Sequence, residues 1–144
     1  MTNKAKVALF IILSTILFVV LTVGGFVYWL SQNKEMLKQN QTAGLAYGKQ
    51  TDDHGCWQEA LRRQTQVKGY KDNVGNNSFL LACLAAAANP PDFCDNVPRP
   101  GEIIATTQWS LQRCGEPDLK QLSKSDCQGL LHTVQTYCSE YYKR

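Results

Sequence analysis

The chain has no close cysteine pair. Its six cysteines are separated by 26, 10, 19, 12 and 10 residues. A structural zinc site needs pairs such as CxxC, and covalent haem needs CxxCH, so neither metal nor haem is expected. Histidine is scarce as well. His54 and His132 are the two present, and no serine or acid stands at a telling distance from either. Acid–base or nucleophilic catalysis requires titratable groups that converge within hydrogen-bond reach. The adjacent acids Asp52 and Asp53 read as helix-start residues instead. The chain therefore reads as a non-enzyme without a cofactor. Net charge is small, +3 over 144 residues, and no basic stripe suggests a nucleic-acid partner. There is no repeat, no low-complexity tract and no strand-like alternation.

What the chain does have is one long apolar run. Residues 7–30, from Val7 to Leu30, carry no charge. A bilayer core takes ~20 apolar residues as a helix, so this run is long enough to cross it. Ser14, Thr15 and Thr22 return their hydroxyls to the preceding turn in such a helix. Phe26, Tyr28 and Trp29 gather at its end, where amphipathic rings favour a membrane–water interface. A cleaved leader has a shorter apolar core of about 7–15 residues and small residues at the cut. Here Gly24 and Gly25 are followed by further apolar sequence. An uncleaved anchor in the lipid bilayer is expected.

Lysines do not orient this span, since Lys4 and Lys6 precede it while Lys34 and Lys38 follow it. Cysteine usage does. All six cysteines follow the run, and a small cysteine-rich domain is stable outside the reducing cytosol. The expected layout is a cytoplasmic tail (1–6), a transmembrane helix (7–30), a juxtamembrane helix or stalk (31–50) and a periplasmic domain (51–144). The short tail suggests a bacterial inner membrane. The part beyond residue 30 holds 13 of the 15 basic and all 12 acidic residues. It is thus nearly neutral.

The fold class expected for this domain is all-α, with about four helices stapled by disulfides. Thr51 or Asp52 caps a first helix over 53–68, with Cys56, Ala60 and Val67 on one face. KDNVGNN (71–77) reads as a turn. Asn77 or Ser78 then caps a second helix, whose residues 79–88 are apolar on every side and read as buried all round. Four of the five prolines fall in the connector 89–101, which reads as stiff and extended. A third helix over 101–114, with Pro100 at its start, places Ile103, Ile104, Thr107, Leu111 and Cys114 on one core-facing stripe. Ser125 and Gln128 form a capping box before a last helix over 126–142. Its face is Cys127, Leu131, Val134, Cys138 and Tyr141.

Six cysteines imply three bridges. Cys127 and Cys138 lie ~16 Å apart on one helix, beyond disulfide reach. An antiparallel hairpin of the last two helices brings Cys114 to Cys127 and Cys138 to Cys94. Cys56 and Cys83 remain. Two helical disulfide families depart from this pattern. Saposin-like domains carry close cysteine pairs at each end, and mitochondrial helical hairpins need an uninterrupted pair of helices.

Partner surfaces are the remaining question. Trp109 lies opposite the third helix's apolar stripe beside Arg113, and Tyr137, Tyr141 and Tyr142 cluster at the end. These five residues are the candidate protein-binding groups. Arg62, Arg63 and Lys68 read as a solvated basic edge. GxxxG at Gly44 and Gly48 lies outside the span, where its lipid-phase role does not apply. Asn40 and Asn76 head sequons that matter only in a eukaryotic source. The function expected is an anchored accessory or assembly protein docking on a protein partner or membrane complex. A tethered small-ligand or lipid-binding module, with an apolar cleft beside 79–88, is the alternative. A disulfide-dependent enzyme ranks third.

Overall fold

The computed structural model describes residues 3–88, 90 and 92–140, with side chains from Phe10 onward. Within them are five helices and no strand: α1 (Asn3–Gly48), α2 (Asp53–Gln64), α3 (Tyr70–Ala86), α4 (Ile103–Cys114) and α5 (Lys124–Glu140). The chain divides into two compact units, Met1–Glu35 and Met36–Arg144.

The first unit is apolar helix. Its large apolar side chains from Phe10 to Tyr28 are each more than half exposed. Thr15 Oγ1 donates to the Ile11 carbonyl (2.8 Å), and Thr22 Oγ1 to that of Phe18 (3.0 Å). These two hydroxyls are thereby satisfied inside the helix, as hydrocarbon requires. The helix is long and apolar enough to span a membrane.

The second unit begins within α1, at Met36. The stretch 31–50 continues as helix to Gly48, and its residues from 36 onward belong to the second unit. Gly44 and Gly48 explain why. A Cβ on Gly44 would lie 2.3 Å from the Phe79 carbonyl oxygen, and one on Gly48 2.3 Å from that of Cys83. The two glycines let α1 meet α3 backbone to backbone, and the GxxxG spacing is a packing seam in the second unit. Ala43 and Tyr47 complete the contact, with the Tyr47 and Phe79 rings 6.1 Å apart.

Helix α2 starts where Asp52 Oδ1 accepts the Gly55 N–H (2.8 Å). It ends at Gln64, four residues short of the expected 68, through tight turns at Gln66 and Val67. Arg63 is no solvated edge residue. Its guanidinium lies 3.5 Å over the Phe79 ring and pairs with Glu59.

Helix α3 departs furthest from the expectation. KDNVGNN is not a turn but the first two turns of the helix. Its turn-forming residues are there because neighbours demand them. A Cβ on Gly75 would fall 2.9 Å from Met36 Sδ and from Asn40 Nδ2. Asn76 donates to the Ala60 carbonyl (2.9 Å) and to Gln64 Oε1 (2.7 Å). Its amide nitrogen is thus used inside the domain, which removes it as a sugar acceptor in the folded chain. Asn73 reaches across to Asp126 of α5. Tertiary contacts override weak helix propensity here. Farther along, Phe79, Leu80, Cys83 and Leu84 are buried while Ala85 is exposed. This helix is one-sided, not buried all round.

Helix α5 is capped by Ser123, whose hydroxyl accepts the Asp126 N–H (3.2 Å), rather than by Ser125. It contributes Leu130, Val134 and Tyr137 to the main core, and Cys127 and Leu131 to a smaller cluster with Leu119. Disulfides join Cys56 to Cys83, Cys94 to Cys138 and Cys114 to Cys127, the pairing that helix geometry favours. They tie α2 to α3, the proline connector to α5, and α4 to α5.

Helix α4 is turned the other way from expectation. Ile103, Ile104 and Leu111 are 77, 76 and 55% exposed, and the helix buries no residue. The inward side carries Trp109, which packs on the Leu119–Cys127–Leu131 cluster. Two ties set this rotation. Gln135 of α5 donates to Thr106 Oγ1 (2.9 Å) and to the Pro98 carbonyl (3.0 Å), and Cys114 is fixed to Cys127. Thr106 and Trp109 are then half-buried against α5, Ile104 and Leu111 lie on the opposite side of a 3.6-residue helix, and Ile103 faces out about a quarter-turn away.

Candidate functional site

The ties that hold α4 also hold a cleft open. Its floor is Leu131 and Val134 of α5. One wall is the connector (Phe93, Asp95, Asn96, Val97, Pro98), and the other is the inner side of α4 from Glu102 to Arg113; His54 and Trp57 of α2 close one end. The cavity measures about 860 Å³, within the range that holds a small organic ligand or a short peptide stretch. The connector reaches round the floor because it is pinned at Cys94 and at Pro98 and turns sharply at Asn96, whose φ is 63°. Asparagine is among the few side chains that tolerate this left-handed backbone.

Three aromatic side chains lie in the lining. Trp57 and Trp109 face the cleft, and Phe93 packs edge-on between His54 (5.3 Å) and Tyr137 (6.2 Å). The charges fall into two sets. Arg113 pairs with Glu116, and His54 Nε2 lies 3.4 Å from Asp92. Asp95 and Glu102 form no ion pair among the described residues. Glu102 Oε2 accepts the backbone N–H of Arg99 (3.2 Å), which leaves its charge in place.

The tyrosine that Phe93 packs on is bonded to a buried acid. Asp53 is fully buried, and its Oδ2 accepts the Tyr137 hydroxyl (3.0 Å). Its Oδ1 has no partner among the described residues. Burial raises its pKa to about 6, against the lowering effect of the Tyr137 hydrogen bond.

Comparison with protein-family models, with curated proteins and with solved structures finds no match to this chain. Of the five candidate binding residues, Trp109 and Arg113 line the cleft. Tyr137 is 1% exposed and belongs to the core, because its position on α5 faces α2 and its hydroxyl is used by Asp53. Tyr141 and Tyr142 lie outside the described residues. The six cysteines are all bridged. None of residues 79–88, beside which an apolar cleft was expected, lines this cavity; Phe79, Leu80 and Leu84 are in the core. Phe93, Asp95, Asn96 and Glu102 were not singled out by sequence pattern. The signal available was the proline-rich connector itself, a rigid segment carrying an aromatic and acids between two helices.

Proposed function

We propose that the chain is a membrane-anchored docking protein of the periplasmic side, with residues 7–30 in the inner membrane, the N-terminus in the cytoplasm and the disulfide-stapled domain outside. The observation that carries this reading is α4. It buries no residue, yet presents Ile103, Ile104 and Leu111 on one outward stripe with Thr107 between them. No charge interrupts that stripe, and contiguous exposed apolar side chains mark contact surfaces. The occupant is an apolar face of a protein partner. The three bridges and the Gln135 ties keep the helix presented in one orientation, which lowers the ordering cost of binding.

A second reading has its own support. The cleft behind α4 is large, aromatic and preformed, as ligand sites generally are. Under it, the domain is a tethered binding module, and one helix serves both surfaces.

The experiment is cross-linking with a membrane-impermeant lysine reagent added to intact spheroplasts. A discrete adduct of stoichiometric size is expected from the parent chain. The Ile103→Glu/Ile104→Glu variant should lose it while melting as the parent does, because exposed positions cost a fold about 0.5 kcal/mol or less. Failure to form the adduct, or an adduct indifferent to those two substitutions, would refute the docking reading.

A further inference from the structure

We propose that the cleft between the proline connector and α4 is a binding site for an organic cation: an ammonium or guanidinium group on an apolar or flat body. This deepens the ligand-binding reading above and rests on it. Three observations carry the assignment. The first is the wall material. Trp57, Phe93 and Trp109 line a single cavity of about 860 Å³, and aromatic faces attract cations more than neutral groups. The second is the charge balance. Of the charged residues lining the cavity, Arg113 is neutralised by Glu116, and His54 faces Asp92. Asp95 and Glu102 remain, both without an ion-pair partner among the described residues. Arg99 meets Glu102 through its backbone N–H, not through its guanidinium. The uncompensated charge is negative, and it sits on both sides of the cleft, one carboxylate on the connector and one on Glu102, the residue that opens α4.

The third observation is register. Glu102, Ala105, Trp109 and Gln112 follow one another along the cleft side of α4. Glu102 and Trp109 are seven residues apart, two turns or ~10 Å along the axis. A ligand whose cationic head meets Asp95 and Glu102 therefore lays its body along Ala105 toward Trp109, with Gln108 and Gln112 at its flank. The volume excludes a bare metal ion as the natural occupant, since two exposed carboxylates on opposite walls make no metal cage. A free amine and a basic side chain of a peptide share the required chemistry.

Asp95 and Glu102 are exposed, so binding is to be salt-sensitive. The test is a titration of the full chain in detergent micelles, read by tryptophan fluorescence and by calorimetry. The probes are arginine amide and its neutral isostere citrulline amide. Arginine amide should bind saturably and citrulline amide at least about tenfold more weakly, a difference of ~1.4 kcal/mol. Asp95→Asn with Glu102→Gln should remove that preference. Asp118→Asn, an exposed acid outside the cleft, should keep it. Agmatine and a capped Arg–Arg–Arg peptide then separate a small-molecule source from a peptide one by which binds tighter. Equal binding of the neutral isostere would overturn the cation assignment and leave a ligand cleft. No saturable binding of any probe would overturn both. Neither outcome touches the docking surface, whose cross-linking test needs no ligand.

Discussion

Adding one methyl group at Gly48 gives opposite results depending on whether the GxxxG spacing is a packing seam. On an exposed helix, glycine to alanine gains up to ~1 kcal/mol from backbone entropy and helix propensity. In the seam, the new Cβ would lie 2.3 Å from the Cys83 carbonyl oxygen and 3.1 Å from the Ala86 Cβ. The first obstacle is backbone, held in α3 at the residue that forms the Cys56–Cys83 bridge. It cannot rotate aside as a long side chain would. Forcing α1 and α3 apart costs ~2–3 kcal/mol, the upper part of the usual overpacking range, because the obstacle is backbone. The net expectation for Gly48→Ala is a loss of ~1–2 kcal/mol. Gly44→Ala meets the Phe79 carbonyl at the same 2.3 Å and should behave alike. The double variant should lose less than the sum, because one outward shift of α1 relieves both clashes. The assay is denaturant unfolding of the oxidised full chain in micelles, followed by near-ultraviolet circular dichroism so that the apolar helix does not mask the domain. Unchanged or raised midpoints for both single variants would refute the seam and return residues 36–48 to the role of a stalk.

Two further outcomes follow from the buried groups. Asp53 binds its proton more tightly in the folded chain (pKa about 6) than at its ordinary value of 3.8, so its contribution to stability is full below pH ~4 and is lost as pH rises through ~6. Asp53→Asn keeps an acceptor for Tyr137 and should flatten the stability profile across that window, by up to ~3 kcal/mol at neutral pH before solvent relaxation reduces it; urea midpoints unchanged between pH 4 and 7 in the parent chain would count against a buried acid. Trp109→Ala, at a half-buried position on the Leu119–Cys127–Leu131 cluster, should cost ~2 kcal/mol, between the surface and full-core values. Thermal melting that shows no loss would put Trp109 on the surface instead.

The sequence by itself determined the features that depend on composition and covalent reach. An uncharged run of 24 residues from Val7 to Leu30 dictates an apolar helix long enough for a bilayer, whatever surrounds it. Helical rise forbids Cys127 to pair with Cys138, and the proline connector brings the chain back toward α5, so the bridge pattern was legible. What only tertiary structure decided is which side of each helix is inside. α4 has two sides of comparable apolarity, isoleucines on one and a tryptophan on the other. Its rotation is set by Gln135 and Cys127, contacts 29 and 13 residues distant in sequence. KDNVGNN misleads for a related reason. Its asparagines and glycine signal a turn in isolation, but the close approach of Met36, Ala60 and Asp126 makes them the residues a crowded polar helix interface needs. Local propensity is worth a few tenths of a kcal/mol per residue. Leaving a buried amide such as that of Asn76 without its partners costs about 1–3 kcal/mol, so the long-range hydrogen bonds outweigh the local preference and the segment stays helical.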